Sequence, residues 1–271
     1  MSRAAVVFSS LFGAIEKVGS IVLNTTEAWG RANIFLWRGW VSVFKPPFRF
    51  YLFIFQMFQI GVSSTLVICL IGIFTGAVLA VQMEYTLAKF GATAFAGPAV
   101  ALALIRELGP VLTALMVIGR AGSAITAEIG IMRITEQVDA LKSMAVDPMK
   151  YLMAPRFLAG LLAVPLLACL FIVVGIGGGY VVGVGLLGLS SGTFMSQIYY
   201  SVDMLDIYSG LIKAVVFGFI FGWVACYKGY TCGFGAIGVN RATTQSVVTA
   251  SVAVLVSDYF LTSILTRVFF N

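Results

Sequence analysis

The residues of this chain that could do chemistry are charged groups set inside apolar sequence. Arg106 and Glu107 stand near the middle of one apolar stretch and Asp258 near the middle of another. Lys213 lies within a third, and Glu84 closes a fourth. A charge at the centre of a membrane helix costs about 2.5–3.5 kcal/mol on insertion scales, so each has a reason to be there. One reason is a polar site on a transport path. The other is ion pairing between helices. Neighbours 106 and 107 point about 100° apart on a helix, so neither is the other's best partner. Pairing with Lys213 and Asp258 is the expected arrangement, ahead of a direct substrate role.

Other chemistries are excluded by what the chain lacks. It has no histidine, which removes Ser-His-Asp triads, HExxH zinc sites and His-based acid/base catalysis together. No Gly-Lys pair occurs, so there is no phosphate-binding GxxxxGK[ST] loop and no ATP site of that kind. Cys69 and Cys169 lie inside apolar runs, and the spacing of Cys226 and Cys232 is not a metal or redox spacing. No metal site and no cofactor are expected, and the chain is not read as an enzyme.

The elements that must position these charges follow from composition. Of 271 residues, 60% are hydrophobic and only 10% charged, against about 25% charged in a soluble domain. Mean hydropathy is +1.02. A chain this apolar has lipid as its solvent. Five stretches are long enough to cross about 30 Å of hydrocarbon: 57–83, 94–119, 157–187, 207–227 and 246–266. Pro165 and the glycines at 175–179 give the third places to bend. Gly72-x₃-Gly76, Gly175-x₃-Gly179-x₃-Gly183 and Gly218-x₃-Gly222 predict close helix packing. The fold class is therefore an all-α integral membrane protein.

Orientation follows from the basic residues. With the N-terminus in the cytoplasm, thirteen Lys and Arg lie inside and only Lys89 and Arg267 outside. That asymmetry satisfies the positive-inside rule and puts the C-terminus outside. The first fifty residues, 1–50, read as an amphipathic segment lying in the membrane interface. Phe8, Phe12, Ile15, Val18 and Val22 recur at helical spacing, Trp29, Trp37 and Trp40 follow among arginines, and Pro46-Pro47 ends the segment. Residues 51–271 then form one transmembrane domain. Its longest stretch outside lipid, about 120–156, carries an apolar stripe of Ile134, Val138, Leu141 and Met144 or Ala145, flanked by Arg133, Glu136, Asp139 and Lys142. A short amphipathic helix there either rests on the membrane or enters a partner's groove.

One series of motifs goes further. Arg106-Glu107-Leu108-Gly109-Pro110 is followed by Gly119-Arg120-Ala121-Gly122-Ser123-Ala124-Ile125-Thr126-Ala127-Glu128-Ile129-Gly130. Then come Met132-Arg133, Thr135-Glu136-Gln137, Met144-Ala145-Val146-Asp147-Pro148, Pro155-Arg156-Phe157 and Arg241-Ala242-Thr243-Thr244. Over roughly residues 50–268 the chain closely resembles the MlaE/YrbE permease family of ABC-type lipid transporters linked to MCE proteins. The resemblance implies a homodimer in the bacterial inner membrane, with an interfacial N-terminal helix and five transmembrane helices per copy. It implies a separate cytoplasmic ATPase, which would bind ATP and Mg, docked on a coupling helix between spans two and three. It also implies a periplasmic ring of MCE subunits and phospholipid held in an outward-facing cavity at the dimer interface. Such a system maintains outer-membrane lipid asymmetry.

Carried over by motif, the ATPase contact falls on 123–148, including Glu128, Arg133, Glu136, Val138, Asp139 and Leu141. Arg106, Glu107 and Arg241 match the family in identity and join Lys213 and Asp258 as intramembrane polar positions. The cavity is expected along span one, at Ala77, Leu79, Ala80, Val81 and Leu87. A greasy lining is physically required. A two-chain lipid with roughly 32 methylenes loses about 25 kcal/mol of apolar burial in water, at ~0.8 kcal/mol per CH₂. The rival reading is an ion-coupled secondary carrier in which Glu107 or Asp258 titrates.

Overall fold

The computed structural model describes residues 19–20, 23, 26–27, 30–43 and 50–269. Helix α1 covers 30–43. The expected stripe Phe8, Phe12, Ile15, Val18 and Val22, with Trp29 and the two prolines at 46–47, lies outside the described residues. Five helices are long and apolar enough to cross a membrane: α2 (Phe50–Ala88), α3 (Thr93–Ile134), α5 (Met149–Gly185), α7 (Met204–Tyr230) and α8 (Gly235–Phe269). Two short helices join them, α4 (Gln137–Ser143) and α6 (Ser191–Ser201). No strand occurs among the described residues.

The helices overrun the expected spans at both ends, except α5, which starts earlier than expected but ends at Gly185. The clearest correction concerns α3. It does not end near residue 119 but continues as helix to Ile134, and with α4 and the start of α5 most of the supposed loop 120–156 is helix. The reason is packing: Ala121, Ile125, Ile129 and Gly130 form a buried stripe. A Cβ on Gly130 would lie 3.2 Å from Val239 of α8, and one on Gly229 of α7 would lie 2.9 Å from Ile129. Thr126 ties the three helices by donating to the Ala225 carbonyl at 3.1 Å, with Ser246 Oγ at 2.9 Å.

The glycine spacings are used as seams. On α2, Gly72 and Gly76 face Gly175, Gly178 and Gly179 of α5, and a Cβ on Gly76 would stand 1.8 Å from the Gly175 carbonyl oxygen. Only Gly permits backbones that close. Gly160 and Gly218 bring α5 against α7 in the same way. Helix α5 runs through Pro165 without interruption. Helix α1 lies against the bundle through Phe35 on Tyr227 and Tyr230, and through Trp40 on Phe157 and Phe219. Helix α6 lies between two of the expected spans, in a stretch too polar to signal a crossing. Ser190 caps it by accepting from the Thr193 N–H, and buried Phe194 anchors it over Gly97 and Gly183.

Candidate functional site

The intramembrane charges meet at one turn of α3. Residues Leu104–Leu108 form a π-turn, which holds one residue more than an α-turn and loosens the backbone ladder. Pro110, four residues on, has no N–H to give the Arg106 carbonyl, which instead accepts a hydrogen bond from Lys213 Nζ at 2.9 Å. The Lys213 ammonium is fully buried. It also donates to Glu107 Oε2 at 2.5 Å and to Thr262 Oγ1 at 2.7 Å, with Asp258 Oδ1 at 3.1 Å. Glu107, Lys213 and Asp258 thus join α3, α7 and α8.

Arg106 turns elsewhere. Its guanidinium binds Asp206, with Nε donating to Oδ1 at 2.6 Å. Asp206 is buried and also accepts from the Asp203 N–H at 3.0 Å, closing a capping box at the start of α7. The cluster therefore holds two cations and three carboxylates. It is sealed at Lys213 and Asp206, yet the side chains of Arg106 and Glu107 are 39% and 43% exposed. It presents a polar patch on the surface of the bundle, beside the first three turns of α7. Arg241 stands apart from it, exposed in the second turn of α8, and Glu84 is not part of it.

At the basic end of the bundle, α4 follows α3 after a tight turn. Two non-glycine residues in left-handed backbone bracket it, Glu136 (φ 59°) and Ala145 (φ 56°). Such backbone is uncommon outside Gly and Asn and holds the helix at a set angle. Its apolar stripe faces inward. Val138 is fully buried and Leu141 packs against the same core. Val138 is therefore unavailable to a partner, which corrects the expectation that it forms part of a docking face. The outward face carries Glu136, Asp139, Lys142 and exposed Met144. The hydrogen bond from Lys142 holds the Asp139 carboxyl below its ordinary value, and the same bond raises Lys142. Arg133 lies 3.7 Å from Asp139 and 5.3 Å from the Tyr230 ring centre.

Glu128 is committed inside the chain, to the buried Arg156 guanidinium at 2.7 Å. That pair ties α3 to the start of α5. Two turns back along α3, Arg120 lies in a second π-turn, Ile118–Gly122. It donates to Ser64 Oγ at 2.9 Å and to the Gln59 carbonyl at 3.3 Å. Among the described residues no three His, Cys, Asp or Glu side chains come together as metal ligands.

The five positions expected to line a cavity do not share a face of α2. Ala80 is buried on the stripe of Gly72 and Gly76, so it faces α5 and lines no open cavity in this chain. Leu79 packs partly on the core, Ala77 and Leu87 are half-buried, and Val81 is exposed. The open face of α2 is instead Val67, Leu70, Phe74, Val78, Val81 and Tyr85, a strip at helical spacing.

A family model described as Permease MlaE matches residues 53–264, most of the chain. The chain belongs to the MlaE permease family. It is 46% identical over 254 residues to the "Intermembrane phospholipid transport system permease protein MlaE" of Haemophilus influenzae, covering 93% of this chain and 97% of that one. A "Probable ABC transporter permease protein" of Rickettsia bellii is 41% identical over 258 residues, covering 95% of this chain and all of the relative. The chloroplastic "TRIGALACTOSYLDIACYLGLYCEROL 1" protein of Arabidopsis thaliana is 35% identical over 208 residues, covering 77% of this chain and 59% of that one. MlaE membership makes the chain a transporter permease subunit and favours that reading over a secondary carrier using Glu107 and Asp258.

In this MlaE permease three polar residues hold positions that the sequence pattern does not single out. Asp206 lies one residue before the expected start of span four, where a charge has the look of a boundary. The Asp203-x-x-Asp206 spacing at a helix start is the one available signal. Arg156 and Arg120 have the look of loop charges, and nothing local to them signals burial or a π-turn.

Proposed function

We propose that the chain is the membrane subunit of an ATP-driven phospholipid transporter of a bacterial inner membrane. Two copies enclose a lipid cavity, with the α2 strip from Val67 to Tyr85 as part of its wall. A separate ATPase docks on the outward face of α4 at the cytoplasmic side, and an MCE ring stands at the opposite end. Support for a second copy comes from α8, which buries little of its apolar surface within this chain.

One observation carries this reading. Helix α3 runs from the far end, through the Arg106–Glu107 π-turn, to Ile134 beside α4. From Glu107 to Ile134 is about 40 Å at 1.5 Å per residue. A push on α4 from outside therefore reaches the charge cluster along one helix rather than through a flexible loop. The Glu128–Arg156 pair carries the same displacement to α5. The chain has no GxxxxGK[ST] phosphate loop, in keeping with a force supplied by another subunit.

The test is copurification in mild detergent from cells carrying the whole system. An ATPase subunit comes with the wild type and is lost when Glu136 and Met144 are both changed to Lys, with insertion in the membrane unchanged. A carrier driven by an ion gradient would instead move lipid with no ATPase bound, and that outcome ends the proposal.

A further inference from the structure

Most buried or half-buried cations of the bundle face a carboxylate: Arg106, Lys213, Arg156 and Arg133. Lys228 is half-buried near the end of α7, and it and Arg241 face no carboxylate among the described residues. Both line a cleft of about 530 Å³ between the ends of α7 and α8, together with Tyr227, Thr231, Gln245 and the turn at 232–234. A second cleft of about 330 Å³ adjoins it, sharing Tyr227 and Lys228. Its other walls are Ala32 of α1, Trp223 and Val224 of α7, and Thr249 and Ala253 of α8. Trp223 Nε1 donates to the Ala32 carbonyl at 3.3 Å, so α1 closes one side.

The two clefts together have a polar, cationic mouth and an apolar shaft. From Arg241 to Ala253 the shaft descends about 18 Å at 1.5 Å per residue. One leaflet of a 30 Å hydrocarbon core is about 15 Å deep. The mouth lies at the basic end, which the charge asymmetry assigns to the cytoplasm, and an indole and a phenol line the passage between, as aromatic side chains do at membrane interfaces.

We propose that the joined clefts bind one anionic phospholipid of the cytoplasmic leaflet. Its phosphate lies between Lys228 and Arg241, and an acyl chain runs along Trp223, Val224, Thr249 and Ala253. This lipid is separate from the transported one, and the site stands whether or not the transport reading does, since it uses only the span assignment. Lipid here ties α1 to α7 and α8, so the site gives the inner leaflet a handle on the position of α1.

Trp223 reports on the shaft. The purified full-length protein is placed in bilayers of phosphatidylcholine containing a fixed fraction of dibrominated phosphatidylglycerol or dibrominated phosphatidylcholine. The Trp223 signal is taken as the difference between wild type and Trp223→Phe. Quenching by the brominated anionic lipid is expected to exceed that by the neutral one. Each cation near an anionic headgroup strengthens association roughly fivefold. Lys228→Gln with Arg241→Gln should therefore reduce the preference at least roughly tenfold, while Arg38→Gln on exposed α1 leaves it unchanged. Equal quenching by both lipids means ordinary bilayer contact and overturns the site. Absence of quenching by either means that another protein surface covers the shaft, and also overturns it. Binding of inorganic phosphate to the wild type but not to the double variant, without lipid preference, makes this a site for soluble anions and refutes the lipid assignment.

Discussion

Replacing Gly76 by Ala adds one methyl group at the tightest crossing in the bundle. The new Cβ would stand 1.8 Å from the Gly175 carbonyl oxygen and 2.6 Å from its carbon. Carbon and carbonyl oxygen approach to about 3.3 Å at closest, so α2 and α5 must part locally by roughly 1.5 Å. No flexible side chain can yield instead, because the atoms met are backbone. The same seam is tight from the other side, where a Cβ on Gly178 would lie 2.4 Å from the Ile73 carbonyl oxygen. Overpacking typically costs about 1–3 kcal/mol, and a backbone clash belongs at or above the top of that range. At about 2–4 °C per kcal/mol, the unfolding midpoint in detergent should fall by roughly 6 °C or more. The control is Gly177→Ala, one residue from the seam, where nothing lies within 4 Å. There the helix propensity of Ala should hold or raise the midpoint, by up to about 1 kcal/mol. Equal midpoints for the two variants would refute the α2–α5 crossing and every inference about which face of α2 is open.

Lys213→Met should destabilise the protein by about 3–5 kcal/mol, since it leaves two carboxylates without their cation. Adding Glu107→Gln and Asp258→Asn should recover part of that stability in thermal unfolding, and no recovery would show that the lysine acts otherwise than by pairing. Glu128→Gln should cost about 1–2 kcal/mol by stranding buried Arg156, a figure kept low because the Glu128 carboxylate is 45% exposed. If Glu128 served only as a docking contact, stability would not change and ATPase binding would. Val138→Ser should lower the stability of the isolated permease, whereas Met144→Ser should leave it unchanged and weaken ATPase copurification. The reverse pattern would mean that α4 is inverted relative to its surface in this structure.

Helix number and family are legible in the amino-acid sequence because they depend on local properties. Apolar length and an ordered run of motifs each survive in one dimension. The glycine spacings are legible as close packing, but which helix they meet is not, since that depends on pairing across a hundred residues. Helix ends are misplaced where burial, rather than lipid, sustains the helix. Residues 120–134 carry Arg120, Glu128 and Arg133 and have the composition of a loop. They remain helical because Ile125, Thr126 and Ile129 are covered by α7 and α8. The same limit hides Asp206 and Arg156, whose burial depends on neighbours distant along the chain. Val138 illustrates a different ambiguity. An apolar stripe on a short helix does not reveal whether it points into its own protein or out of it.

The two π-turns of α3 give that helix a physical role that no single charge explains. Each inserts one extra residue, so side chains before and after the turn are rotated relative to a plain α-helix. At 104–108 this aims adjacent Arg106 and Glu107 at Asp206 and Lys213, seven residues apart on α7. At 118–122 it turns Arg120 onto Ser64 and Gln59 of α2. Relaxing either turn to α-geometry would rotate one end of the helix against the other by about 100° and exchange these partners. Helix α3 thus has two built-in points at which its side-chain register is offset from that of a plain α-helix. The pairing of Arg106 with Asp206 and of Glu107 with Lys213 is therefore set by helix register as well as by helix position.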